Sequence, residues 1–199
     1  MIDWRDCGLI ILASGRSQRF GDGDKLTAPF RGKPLAEYAA QLANAAPFAK
    51  SIAIIAPERP ELKRLFSSYN ITTLVNDDPG AGQGRSLALG VSAIAELGCK
   101  AAIITLADMP FIKHSHLDRL RIEVGENESA IAFDGQRRSP PVLFRNSMFE
   151  KLSGLTGDAG AREILRQTRR VKNVMVPTED LIDIDTREDL TRYDITTDE

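Results

Sequence analysis

Four short, uninterrupted apolar runs recur along the chain: GLIILA (8–13), SIAIIA (51–56), ITTLV (71–75) and AAIITLA (101–107). A strand buried on both faces reads this way, because no position along it looks at water. Between the runs the hydrophobic period changes to that of a helix. Pro34 opens PLAEYAAQLANAA, with Leu35, Tyr38, Ala39 and Leu42 at helical spacing, and Pro60 opens PELKRLFSSY. Proline costs nothing in a first turn, where its missing N–H would have no partner. A third helix is predicted from Arg85 or Ser86 through SLALGVSAIAEL, closed by Gly98, and a fourth after Ser115. Strand and helix alternating this regularly require crossover connections. The expected fold is therefore α/β, a three-layer Rossmann-like arrangement with a mostly parallel central sheet and helices on both faces.

Beyond Val124 the pattern loosens. Two strands are expected near 130–133 and 142–144, as a hairpin or an edge extension, followed by a helix near 148–152, a strand in VKNVMV and a final helix after DIDT. No repeat, low-complexity tract or linker separates a second unit, so residues 1–199 are read as one domain. Lys and Arg total 26 against 28 Asp and Glu, so the overall field draws the chain toward neither nucleic acid nor an anionic membrane. The start MIDWRDC lacks the basic, then apolar, character of a signal peptide, and no window approaches a membrane span; a cytoplasmic protein is expected. Cys7 and Cys99 read as free, buried thiols.

Chemistry concentrates where the predicted strands end. LASGRSQRFGDGDK (12–25) leaves the first strand through Ser14 and Gly15, then sets Arg16, Arg19 and Lys25 among glycines and almost no apolar residues. In open α/β sheets ligands bind outside the carboxyl ends of strands, and backbone N–H groups beside cations suit a polyphosphate. The loop matches neither the dinucleotide fingerprint nor the Walker pattern. Asp108 stands alone after AAIITLA, where a carboxylate suits Mg²⁺ shared with phosphate oxygens, or equally an Asx turn. In LIDIDTRED, Asp183 and Asp185 fall on one side of an extended segment, and one of them could complete a metal site; Asp185 or Thr186 could instead cap the last helix. Asn76, Gly82, Gly84 and Ser86 follow the third strand, in reach of a nucleotide base or as a plain glycine loop. His114 and His116 read as surface residues near a helix start.

Taken together, LASGRSQRFG with Lys25, FRGKPL (30–35), LADMP (106–110), PPVLF (140–144), GDAGAR (157–162) and DIDTREDL (183–190) resemble the MobA-like nucleotidyltransferase family, within it the molybdenum cofactor cytidylyltransferase branch. The resemblance implies transfer of CMP from CTP to a molybdopterin-type cofactor, with pyrophosphate released and Mg²⁺ as the cofactor. It implies that Leu12, Ala13, Ser14, Gly15, Arg16, Ser17, Gly21, Lys25, Asn76, Gly84 and Ser86 hold the nucleotide, with Lys25, Arg19 and Asp108 catalytic. Asp108 and Asp185 become the metal ligands, and Pro110, Asp158, Gly160 and Arg162 the acceptor side. A molybdoenzyme or chaperone is the implied protein partner. Ser14 stands where the cytidylyltransferase branch has alanine and the guanylyltransferase branch glycine. GDGDK and RGKPL lean toward the guanine-using relatives, GDAGAR and DIDT toward the cytosine-using ones, and Ser139-Pro140 replaces a common Gly-His before proline. A guanylyltransferase acting on molybdopterin or another small phosphorylated acceptor is the near alternative. A non-catalytic chaperone that binds nucleotide or cofactor and delivers molybdenum cofactor is the distant one.

Overall fold

The computed structural model describes residues 1–15, 19–21, 23–157 and 160–194. β1 (Cys7–Ala13) is followed by a small hairpin, β2 (Pro29–Phe30) with β3 (Lys33–Pro34), and by α1 (Leu35–Asn44). β4 (Lys50–Ile55), α2 (Pro60–Ser68), β5 (Thr72–Val75), α3 (Gln83–Glu96), β6 (Ala101–Leu106) and α4 (His114–Glu123) continue the alternation. β7 (Ser129–Phe133), β8 (Arg138–Arg145), α5 (Phe149–Ser153), α6 (Ala161–Gln167), β9 (Val171–Met175) and α7 (Arg187–Tyr193) complete the described chain.

The main sheet has the order β5-β4-β1-β6-β8-β7-β9. β5, β4, β1 and β6 are parallel, β8 runs against both β6 and β7, and β9 is parallel to β7. The expected hairpin is thus not an edge extension. Its second strand enters beside β6, because Val142, Leu143 and Phe144 are buried on alternate faces and need cover on both sides. The hairpin register jumps from Ile131↔Val142 to Ala132↔Ser139, leaving Pro140 and Pro141 out of the ladder. Neither proline has an N–H to donate, so a bulge is the place where they cost least.

Two apolar layers cover the sheet. α1, α2 and α4 pack on one face against Leu9, Ile11, Ala53 and Ile103; α3, α5 and α6 pack on the other against Ile10, Ile52, Ile54 and Ile104. The alternation of Leu9, Ile10 and Ile11 between the two layers is the period-two geometry of a strand. α3 lies unusually close to β1. A methyl built on Gly8 would meet Ile94 side-chain atoms at 2.4 Å, and one on Gly90 would meet Ile10 Cγ2 at 2.6 Å. Each element offers a glycine to the other's isoleucine, so both glycines are needed for this approach.

After β1 the chain builds outward through β4 and β5, then crosses to β6 on the other side of β1. The order reverses between β1 and β6, the crevice where open α/β sheets bind ligands. Leu12 pairs with Leu106, so the loops that follow, with Ser14 and Asp108, open side by side.

Candidate active site

A cleft of about 640 Å³ opens at that crevice, a size suited to a small organic ligand. Leu12, Ala13, Ser14, Gly15, Arg19, Lys25, Ser86, Asp108 and Asp185 line it, together with Leu26, Leu106 and Pro79, Gly80, Gly82 and Gln83 ahead of and opening α3. Gly21, Asn76, Gly84, Pro110, Gly160 and Arg162 are not in its lining. Arg16, Ser17 and Asp158 lie outside the described residues. Asn76 is fully buried behind Ser86, and Gly84 is buried in the first turn of α3, its N–H donating to Gly157 O at 3.1 Å. Pro110 is buried, while Gly160 precedes α6 and Arg162 is exposed on it. That helix start at Gln83, earlier than expected, reflects this tertiary bond, since Gly84 is a poor helix former by itself.

At the centre, Lys25 Nζ donates to Asp108 Oδ2 at 2.6 Å and to Asp185 Oδ1 at 2.8 Å. Its side chain is 9% exposed. Arg19 reaches the other oxygen of Asp185 at 2.8 Å from the exposed side. Burial opposes the Lys25 charge, but the Asp108 and Asp185 carboxylates outweigh it and hold the ammonium above its ordinary pKa. Burial in turn pushes Asp108 up against the pull of Lys25.

Neither carboxylate is spent on a cap. α4 is preceded by Lys113 as its N-cap, and α7 by Thr186, which forms a reciprocal capping box with Asp189. Asp189 accepts from the N–H groups of both Asp185 and Thr186, leaving the Asp185 carboxylate for the cleft. Asp183 is exposed beside it, and the backbone between them is tied down where Ile184 N–H donates to Asp108 O at 2.9 Å. Among the described residues, Asp108 Oδ1 is buried with no hydrogen-bond partner. A buried carboxylate oxygen without a donor is costly unless a ligand completes it. Hard oxygen donors of this kind, one or two carboxylates beside phosphate, fit Mg²⁺.

The other end of the cleft carries hydroxyls. Asn76 Oδ1 accepts the Asp78 N–H at 3.1 Å, which orients the amide so that Nδ2 donates to Ser86 Oγ at 2.9 Å. Ser86 and Ser14 Oγ are 2.6 Å apart. The Ser–Ser bond uses one of the two hydroxyl protons, so the other remains for an acceptor in the cleft that both residues line.

Two residues that the strand-end reading did not reach stand behind the cations. Asp24 and Arg59 form an ion pair, and Arg59 Nη2 lies 3.5 Å from Gly15 O. Nothing in the local sequence links them, as Arg59 simply precedes a helix-opening proline. One of the two histidines differs from expectation. His114 stacks on Trp4 at 5.2 Å, and His116 is not a surface residue but is buried. Its Nδ1 accepts the Lys113 N–H at 3.1 Å and its Nε2 lies 3.3 Å from Asp180 Oδ2, so the ring replaces the Glu or Gln of an ordinary capping box. Cys7 and Cys99 are free and buried; burial, then the neighbouring Cys99, pushes the Cys7 thiol up to about 12 and leaves it unreactive. Among the described residues no helix is long and apolar enough to cross a membrane.

The model of the MobA-like NTP transferase domain matches residues 9–172. The purine catabolism protein PucB of Bacillus subtilis is 28% identical over 190 residues, covering 90% of this chain and 92% of PucB. The molybdenum cofactor guanylyltransferase of Mesorhizobium japonicum is 31% identical over 140 residues, 68% of this chain and 65% of that protein. In fold, the crystal structure of Rv0371c from Mycobacterium tuberculosis H37Rv superposes with a TM-score of 0.83 at 22% identity, over 97% of this chain and 98% of that one. The Rv0371c complex with manganese superposes at 0.78, also at 22% identity, over 94% of this chain and 97% of that one. With the domain model spanning most of the chain, the protein is a nucleotidyltransferase belonging to the MobA-like NTP transferase family.

Proposed function

We propose that the chain transfers CMP from CTP to the terminal phosphate of a molybdopterin-type cofactor, with Mg²⁺ as its metal and pyrophosphate as the leaving group. The observation that carries this reading is Lys25 held between Asp108 and Asp185 at the β1/β6 crevice, with Asp108 Oδ1 left unpartnered among the described residues. An oxygen of the acceptor phosphate attacks the α-phosphorus of CTP. A new P–O bond forms as the bond from the α-phosphorus to the bridging oxygen breaks, and pyrophosphate departs with that electron pair. Lys25 and Arg19 offset the charge of the triphosphate and of the leaving group, and Asp108 and Asp185 would hold the metal. When bound, Mg²⁺ supplies further charge neutralisation and orientation at the phosphates. Positioning and electrostatics carry a reaction of this type, so no nucleophilic side chain is required.

The free hydroxyl proton of the Ser14–Ser86 pair donates to an acceptor on the base, and the acceptor side is assigned to Pro110 and to the sequence segment that carries Asp158, Gly160 and Arg162. The product passes to a molybdoenzyme or its chaperone. GTP is the second reading for the donor, favoured by the named guanylyltransferase among the relatives. A module that only binds and delivers cofactor has no use for two carboxylates around a buried lysine.

The test is to incubate the protein with Mg²⁺, isolated molybdopterin cofactor and each of the four NTPs, and to measure pyrophosphate. Release with CTP supports the proposal, release with GTP alone replaces the base, and no release with any NTP removes the catalytic reading. Asp108→Ala should lower release by at least about a hundredfold with the circular dichroism spectrum unchanged.

A further inference from the structure

Lys25 occupies its place because a turn puts it there, and that turn is organised by Asp24. The Asp24 carbonyl accepts from Thr27 N–H at 3.2 Å, Ala28 N–H at 3.2 Å and Thr27 Oγ1 at 3.1 Å, while its side-chain Oδ1 accepts from Leu26 N–H at 3.1 Å. Asp24 therefore works as the cap of a single tight turn whose first inner residue is Lys25. What restrains Asp24 comes from a different part of the fold. Arg59, on the loop between β4 and α2, pairs with the remaining carboxylate oxygen, and the two atoms of that pair are sealed from solvent. The same guanidinium leans on the Gly15 carbonyl at 3.5 Å.

We propose that Arg59 is a positioning residue: through Asp24 it fixes the turn that aims Lys25 between Asp108 and Asp185, and through Gly15 it spaces that turn from the end of β1. An ion pair shielded from water is a stiff restraint, since opening it leaves two charges poorly solvated. The guanidinium is the chemistry the site needs, because one planar group with several N–H donors can address a carboxylate and a carbonyl at once. An ammonium at position 59 would be a single point charge without the planar fork, and would hold the two acceptors at their present spacing less well. The kinetic part of this inference rests on the nucleotidyl-transfer reading; the structural part does not.

The experiment compares wild type, Arg59→Ala, Arg59→Lys and Asp24→Asn by lysine acylation with a water-soluble N-hydroxysuccinimide ester, reading Lys25 by mass spectrometry. Asp24→Asn keeps the oxygen that caps Leu26 and removes only the charge facing Arg59. In wild type Lys25 should be strongly protected. Its labelling should rise at least fivefold in Arg59→Ala and Asp24→Asn, and to an intermediate degree in Arg59→Lys. In the pyrophosphate assay kcat should fall about tenfold in Arg59→Ala, with KM for the acceptor changed less than twofold. A merely structural role in α2 would move neither Lys25 labelling nor kcat alone. Lys25 as protected in folded Arg59→Ala as in wild type would overturn the proposal, and if that variant does not fold, the same result in Asp24→Asn would do so. The labelling needs no substrate, so a wild type without transferase activity would count against the proposed function and leave this inference standing or falling by itself.

Discussion

His116 is satisfied as a neutral ring, with Nδ1 accepting from the Lys113 backbone and Nε2 facing Asp180. Protonating Nδ1 would set two N–H groups against each other. Burial lowers its pKa below the ordinary histidine value, and the Asp180 carboxylate only partly opposes this. The unfolded chain then binds a proton more readily than the folded one, so this contribution is present above about pH 6.5 and is lost as pH falls through the lower folded value. Urea denaturation between pH 7 and 5 should show wild type losing up to about 1.4 kcal/mol per pH unit relative to His116→Gln, which keeps a capping-box acceptor. Parallel profiles would remove the role assigned to the ring. Ser14 and Asp108 could be picked out from sequence because each follows the end of an apolar run, Lys25 because it closes a glycine-rich basic loop, and Asp185 because it alternates with isoleucine beside Asp183. His116, Asp24 and Arg59 could not, since their charged partners, Asp180 for the ring and Asp24 and Arg59 for each other, come from segments distant in the chain, and a polar residue beside a helix start looks the same whether it is solvated or buried.

At the level of elements, the contact between β1 and α3 depends on two missing side chains. Gly90→Ala would press a methyl into Ile10, an overpacking expected to cost about 1–3 kcal/mol in urea or thermal unfolding. Gly15→Ala, with open space around its position, should cost much less and serves as the control. The alternation of buried strands and amphipathic helices was readable through α4, because period alone separates the two. The order of β7, β8 and β9 was not. PPVLF carries the same apolar signature in the middle of a sheet as at its edge, and only the competition for cover beside β6 decides between them. Segment boundaries moved where tertiary bonds outbid local propensity, as at Gly84.

For the molecule as a whole, anything that binds the folded state and not the unfolded chain raises stability by mass action. Mg²⁺ and CTP together at a hundred times their Kd should add about 2.7 kcal/mol, or about 5–10 °C in Tm for a chain of this size. The rise should shrink in Asp108→Ala, as differential scanning fluorimetry can show; an equal rise would place the nucleotide elsewhere. The two sides of the cleft should respond to such a ligand unequally. Ser86 lies one turn before Gly90 on α3, so the wall it forms is registered against β1 by two interlocking isoleucines and cannot slide without a steric clash. α7 buries no residue of its own, and the segment bringing Asp185 is held by Ile184 buried against Phe30 and Leu35, by a backbone bond to Asp108, and by Arg31 and Arg187 gripping Tyr193 O and Phe20 O. One wall is locked by interdigitating side chains, the other held by a small apolar cluster and polar ties. Amide exchange should therefore be slowest along 87–94 and fast along 187–193, with ligand slowing the second set and leaving the first unchanged.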